Sequence, residues 1–212
     1  MPTFDQLTAS PTAAFDEGLA FFRGEGMLNK TLLRVVSDLE RNGIDYAVIG
    51  AVALNQYGYR RFTEDIDLLL TKDGLQKFQT ELVGKGYLPA FPGAKKMFKT
   101  SEENVRVEVI TVGEYPGDGK PKPVMFPEPS GNVEEIEGVK TITLAKLIEL
   151  KLASGMTASD RLRDLADVQE LIKIKGLAEE YANDLDESVR EKYRELHRGV
   201  ELARSRERGM QP

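Results

Sequence analysis

The stretch Asp65-Ile66-Asp67-Leu68-Leu69-Leu70 constrains this chain more than any other. It reads as a strand, and successive strand side chains leave opposite faces. Asp65 and Asp67 therefore share one face, while Ile66 and Leu68 turn into a core. Two carboxylates within several Å of each other repel and raise each other's pKa. A divalent cation removes the conflict, because Mg²⁺ binds carboxylate oxygens together with substrate phosphates. An Asp-apolar-Asp triplet is common by chance, so its specificity comes from what surrounds it.

The flanking periods predict a mixed α/β fold. Leu28, Leu32, Val35, Val36 and Leu39 recur at helical spacing, and Asn42-Gly43 ends the run. Tyr46 to Ile49 reads as a short buried strand, which Gly50 breaks. Ala51 to Tyr57 follows as a short helix closed by Gly58. After the Asp65–Leu70 strand, Asp73-Gly74 reads as a turn into a helix that buries Leu75, Phe78 and Leu82. Lys95 to Thr100 and Val105 to Val112 read as two more strands. Gly113 to Pro123 is a Gly/Pro-rich loop, read as a mobile connection, and Val139 to Thr143 reads as a last strand. Beyond that the chain is helical, from Leu144 to Ala153 and from Asp160 to Ile174, with the SGMTAS stretch as a break between them. A third helix, capped by Asp186, carries the stripe Val189, Tyr193, Leu196 and Val200. Residues 1–25 are weakly patterned, with Ser10-Pro11 as a turn. The division expected is an α/β core over residues 1–140, with 1–25 as an N-terminal extension, and a helical region over 141–212.

Composition narrows the chemistry. The 212 residues contain no Cys and one His, which excludes thiolate zinc sites, cysteine nucleophiles and multi-histidine metal centres. Hard oxygen ligands then favour Mg²⁺, Mn²⁺ or Ca²⁺. With 29 basic and 35 acidic residues the net charge is −6, which argues against broad electrostatic binding to nucleic acid. The longest apolar run, Ala47 to Leu54, is too short for the ~20 residues of a membrane span. The absence of cysteine fits a reducing compartment, and the expected location is the cytoplasm.

A third acid, Glu108, lies between Val107 and Val109 on another predicted strand. If that strand pairs beside the first, three acids can hold metal for in-line phosphoryl or nucleotidyl transfer. Gly50 follows a strand, where a missing side chain lets phosphate approach backbone N–H groups. Arg60, Arg61 and Thr63 precede the two aspartates and offer a guanidinium and a hydroxyl to phosphate oxygens. In the helical region Lys151 falls on the apolar stripe of Leu144, Leu147 and Ile148, where a lysine must snorkel or serve a cleft. Arg161, Asp164 and Asp167 follow at i, i+3 spacing. They read equally well as a helix start or as the rim of a site.

The segment IGAVALNQYGYRRFTEDIDLLL, Ile49 to Leu70, resembles the signature of the DNA polymerase β-like nucleotidyltransferase superfamily: an apolar-Gly-Gly/Ser step, then G-x-x-R-x-T-x-D-[IV]-D. The stretch ITLAKLIELKLASGMTASDRLRDLADVQELI is similar to the helical region of the AbiEii-type and minimal nucleotidyltransferases. The resemblance spans about residues 30–175. It implies a nucleotidyltransferase fold, a small mixed sheet with flanking helices followed by a helical region. It also implies Mg²⁺ or Mn²⁺ and a nucleoside triphosphate. By position, Asp65 and Asp67 match the metal pair and Glu108 the third acid. Gly50, Ala51, Arg61, Thr63, Lys151 and Asp164 match nucleotide-binding positions. Ala51 replaces the usual second glycine or serine, and Glu108 stands where Asp is common. The acceptor implied is open among tRNA, protein and a small molecule. A toxin–antitoxin or phage-defence role, with a cognate antitoxin or other partner protein, also follows from the resemblance. The rival reading is an inactive nucleotidyltransferase-fold module that binds a partner or a nucleotide.

Overall fold

The computed structural model of the chain describes residues 3–209. These fall into two compact units. The first runs to Ala53 and takes in Arg60–Val112 and Pro127–Ile142. The second takes Leu54–Tyr59, Gly113–Phe126 and the described residues from Thr143 on.

The first unit begins with helices α1 (Phe4–Leu7), α2 (Pro11–Phe22) and α3 (Met27–Arg41), and continues through β1 (Tyr46–Val48) into the start of α4 (Gly50–Gln56), whose last turn belongs to the second unit. Then come β2 (Asp65–Leu70), α5 (Lys72–Glu81), β3 (Tyr87–Pro89), β4 (Met97–Thr100), β5 (Arg106–Thr111), β6 (Val133–Ile136) and β7 (Val139–Ile142). The strands form one mixed seven-stranded sheet in the order β3-β4-β5-β2-β1-β7-β6. At its centre β2 lies antiparallel to β1 and parallel to β5. One face of the sheet, with Ile66, Leu68, Leu70, Val107, Val109 and Phe98, packs with the apolar stripe of α3 and with Phe78 of α5. Phe78 lies 5.0 Å from the Tyr87 ring and 4.7 Å from Phe98. Each buried side chain of this size contributes roughly 1.5–3 kcal/mol relative to exposure. The opposite face of β2 and β5 carries Asp65, Asp67, Arg106 and Glu108 at one end, with buried Leu69 and half-buried Ile110 beyond them.

The structure differs from the sequence expectation in several places. Ser10-Pro11 is no turn: Ser10 caps α2 by accepting from the Ala13 N–H at 3.2 Å, and Pro11 occupies the first helical position, where it has no donor to lose. α3 starts at Gly26, which has no capping side chain, so its first N–H is met from α2: Glu17 accepts from Met27 N at 2.7 Å. Asp73 and Gly74 lie inside the first turn of α5, capped by the Thr71 hydroxyl. Two edge strands carry no clear sequence signal. β3 is three residues long, and β6 is Val-Glu-Glu-Ile, whose central charges suit a sheet edge.

The second unit holds α6 (Leu144–Thr157), α7 (Leu162–Lys175) and α8 (Glu187–Gly209). α6 passes straight through Ser154-Gly155, where a break is expected from sequence. Small residues serve packing here. A Cβ at Gly155 would lie 2.6 Å from Leu165 Cγ on α7, so glycine lets the two helices approach closely. The Val189–Val200 stripe of α8 is buried, and the Tyr193 hydroxyl donates to the Ala178 carbonyl at 3.0 Å. The Gly/Pro-rich loop is anchored: the Lys122 ammonium donates to Asp118 and, at 3.1 Å, to the Thr157 hydroxyl. Gly117 lies so close to α6 that a Cβ there would sit 2.8 Å from the Ser154 carbonyl oxygen.

Candidate active site

The parallel register of β2 and β5 sets Asp67 beside Glu108 and Asp65 beside Arg106. Cross-strand neighbours share a face, so all four leave the side of the sheet opposite the core. Asp65 and Asp67 are half-buried and Glu108 is exposed. One carboxylate oxygen from each of the three acids lies within 4.8 Å of the others. Around an octahedral Mg²⁺ with bonds of about 2.1 Å, neighbouring ligand oxygens are roughly 3 Å apart and opposite ones roughly 4 Å. The three oxygens are gathered to within little more than the width of that shell, close enough for a small divalent cation to draw them together, and as hard anionic oxygens they fit it in chemistry.

The surrounding chain fixes two of these acids. Thr63, just ahead of β2, donates its hydroxyl to Asp65 Oδ1. The Ile49 N–H donates to the Asp67 carbonyl at 3.0 Å, which brings the end of β1 against Asp67. The next residue, Gly50, has φ +66°, a left-handed conformation that glycine tolerates best. A Cβ there would overlap the Asp67 carboxylate and lie 2.7 Å from its Cγ. Asp67 can hold its position only because residue 50 has no side chain. Ala51 is buried behind it, and Arg61 is half-buried.

The expected helical-region residues form their own cluster in the second unit. Lys151 Nζ donates to Asp164 Oδ1 at 2.9 Å and to Asp167 Oδ2 at 2.7 Å. Ser154 donates to Asp164 Oδ2 at 2.6 Å, and Arg161 Nε to the same oxygen at 3.0 Å. Lys151, Asp164 and Asp167 are 8%, 6% and 1% exposed. Burial opposes the Asp164 charge, yet the Lys151 ammonium, the Ser154 hydroxyl and the Arg161 guanidinium together hold its carboxyl below the usual carboxylate range. On its apolar stripe Lys151 had two expected outlets, solvent or a cleft. The structure instead gives it two buried carboxylates from α7. Ser154, read from sequence as part of a break, is a partner in that network. Tyr57 is buried, in keeping with packing.

Sequence reasoning did not single out Arg106 and Lys99. Arg106 alternates with Glu108 along β5, and Lys99 is its register partner on β4. The alternation was there to be read, but the β4–β5 pairing that brings Lys99 across was not.

Comparison with known proteins adds a decisive match. The family described as nucleotidyl transferase AbiEii toxin, type IV TA system, matches residues 34–212. The chain belongs to this family. The AbiEii match covers both units, and it supports an enzyme of the nucleotidyltransferase kind. No curated protein matches the sequence. Among solved structures, the antibiotic-resistance factor ANT(2'')-Ia is 14% identical, with 85% of this chain and 97% of that one covered and a TM-score of 0.46. The candidate nucleotidyltransferase TM1012 of Thermotoga maritima is also 14% identical, with 68% and 90% covered and a TM-score of 0.38. Among the described residues of this AbiEii-family chain, no helix is long and apolar enough to cross a membrane.

Proposed function

We propose that this chain is a metal-dependent nucleotidyltransferase that moves a nucleoside monophosphate from an NTP to an acceptor hydroxyl. The observation that carries the reading is the convergence of Asp65, Asp67 and Glu108 within 4.8 Å on two adjacent strands. These three residues would hold divalent magnesium or manganese, which when bound supplies charge neutralisation to the carboxylates and to the phosphates.

The acceptor oxygen forms a bond to the α-phosphorus as the bond to the β-phosphate oxygen breaks, and pyrophosphate leaves. Glu108, the most exposed of the three acids, takes the acceptor proton. Thr63 keeps the Asp65 carboxylate in place, and Gly50 leaves room for that of Asp67. Gly50, Ala51 and Arg61, with Thr63, are assigned to the triphosphate, while Lys151 and Asp164 hold the buried network of the second unit. The acceptor class stays with tRNA, protein or a small molecule. The family description motivates a toxin role with an antitoxin partner, acting in the cytoplasm.

The test is calorimetric titration of Mg²⁺ and of each NTP into the wild type, Asp65→Asn and Asp67→Asn. The reading expects NTP binding that needs the metal and is lost in both variants. Binding indifferent to metal and to substitution defeats it. A tight protein complex without NTP turnover supports the inactive-module alternative.

A further inference from the structure

We propose that Lys99 and Arg106 extend the transfer centre into an anion-binding strip, and that the strip holds a phosphate group of the acceptor. The inference rests on the nucleotidyltransferase reading and deepens it by naming the acceptor's chemistry.

Three observations carry it. Register comes first. Arg106 pairs with Asp65 across β2 and β5, and Lys99 pairs with Arg106 across β4 and β5. Neighbouring strands are about 4.8 Å apart, so Lys99 lies two strand spacings, roughly 10 Å, from Asp65 on the same face. The second is pairing. Some cations of this acidic chain are engaged, as Arg34 is with Glu102 and Glu103, Lys140 with Asp45 and Lys146 with Glu149, and others, such as Arg60 and Lys72, are not. Among the described residues, Lys99 and Arg106 make no ion pair and no side-chain hydrogen bond. Arg106 stands beside Asp65 without closing on it, and the Asp65 oxygen takes the Thr63 hydroxyl instead. The third is exposure. Arg106 is exposed and Lys99 half-buried, so an incoming anion can reach both.

Charge balance points the same way. Three carboxylates and a triphosphate concentrate negative charge at the centre, and an acceptor phosphate would add more. Two uncommitted cations next to the acids offset that addition, and guanidinium in particular matches phosphate geometry. A cationic acceptor would be repelled by the same pair. A neutral one would gain nothing from it.

The test uses the full chain with Mg²⁺ present. A fluorescein-labelled oligouridylate is bound to the wild type, Lys99→Gln and Arg106→Gln across a salt series and followed by anisotropy. An uncharged peptide nucleic acid of the same sequence is the control, and a second arm titrates each NTP. Each substitution is expected to weaken strand binding about tenfold. The slope of log K against log salt should become shallower by about 0.7 for each phosphate that is no longer neutralised. NTP binding should hold, and Arg106→Lys should recover most of the strand affinity. The inference is overturned if the wild type binds the strand no better than the uncharged control, or if both Gln variants bind it like the wild type. Parallel loss of NTP binding also overturns it, because the pair would then serve the triphosphate. Failure of the underlying reading looks different: metal and NTP binding would survive Asp65→Asn and Asp67→Asn whatever the strand arm shows.

Discussion

Replacing Gly50 by alanine tests whether the missing side chain positions Asp67. At φ +66° an L-residue pays about 1–2 kcal/mol in backbone strain. The new Cβ would also lie 2.7 Å from Asp67 Cγ and 3.0 Å from its Cβ, so the carboxylate must swing away. Forcing a side chain off its rotamer adds about 0.5–1.5 kcal/mol. The sum, about 1.5–3.5 kcal/mol, corresponds to a fall of roughly 3–14 °C in Tm for a chain of this size. Gly43→Ala is the internal control. Its φ is +60°, but the nearest atom to a Cβ there is the flexible Lys77 ammonium at 3.9 Å. Gly43→Ala should show the strain alone and keep wild-type Mg²⁺ affinity. Gly50→Ala should lose more stability and most of its Mg²⁺ affinity. Calorimetry and thermal melts on the three proteins decide it. Wild-type Mg²⁺ binding by Gly50→Ala would refute the reasoning.

Three further outcomes follow from buried charges and caps. Lys151→Met leaves Asp164 and Asp167 without their shared cation and should cost about 3–5 kcal/mol in urea unfolding. Adding Asp164→Asn and Asp167→Asn should restore much of it, whereas a loss below about 1 kcal/mol for the single change would mean the network is solvated. Because the Asp164 carboxyl is held below its ordinary value, its contribution is present above about pH 4 and disappears as pH falls through the lower folded value. The stability gap between wild type and Asp164→Asn should therefore narrow in acid, and a constant gap would contradict the assignment. Glu17→Ala removes the acceptor at the start of α3 and should cost about 1–2 kcal/mol, read by denaturant midpoint; no change would assign that cap to solvent.

What could be read from sequence follows from how local each signal is. The α3 stripe, β2 and the Asp65/Asp67 alternation depend only on side-chain period, and the structure has them as the period requires. Where the controlling interaction comes from elsewhere in the chain, the sequence is mute or misleading. Ser154-Gly155 looks like a helix break until Leu165 and Asp164 are placed against it. The start of α3 has no local cap because Glu17, ten residues earlier, provides it. Val-Glu-Glu-Ile looks like surface coil until it finds β7. Among the candidate site residues, the approach of Glu108 to Asp67 needs the parallel β2–β5 register, which no local pattern encodes. The partners of Lys151 on α7 likewise come from helix packing.

The central claim is that Asp65, Asp67 and Glu108 share one divalent cation. Anomalous diffraction from crystals soaked with Mn²⁺ and a non-hydrolysable NTP analogue measures this directly. The account predicts a manganese peak about 2.2 Å from an oxygen of each of the three carboxylates, with analogue phosphate oxygens completing the shell. Analogue bound with no metal among these acids, or manganese bound only elsewhere on the chain, would contradict it.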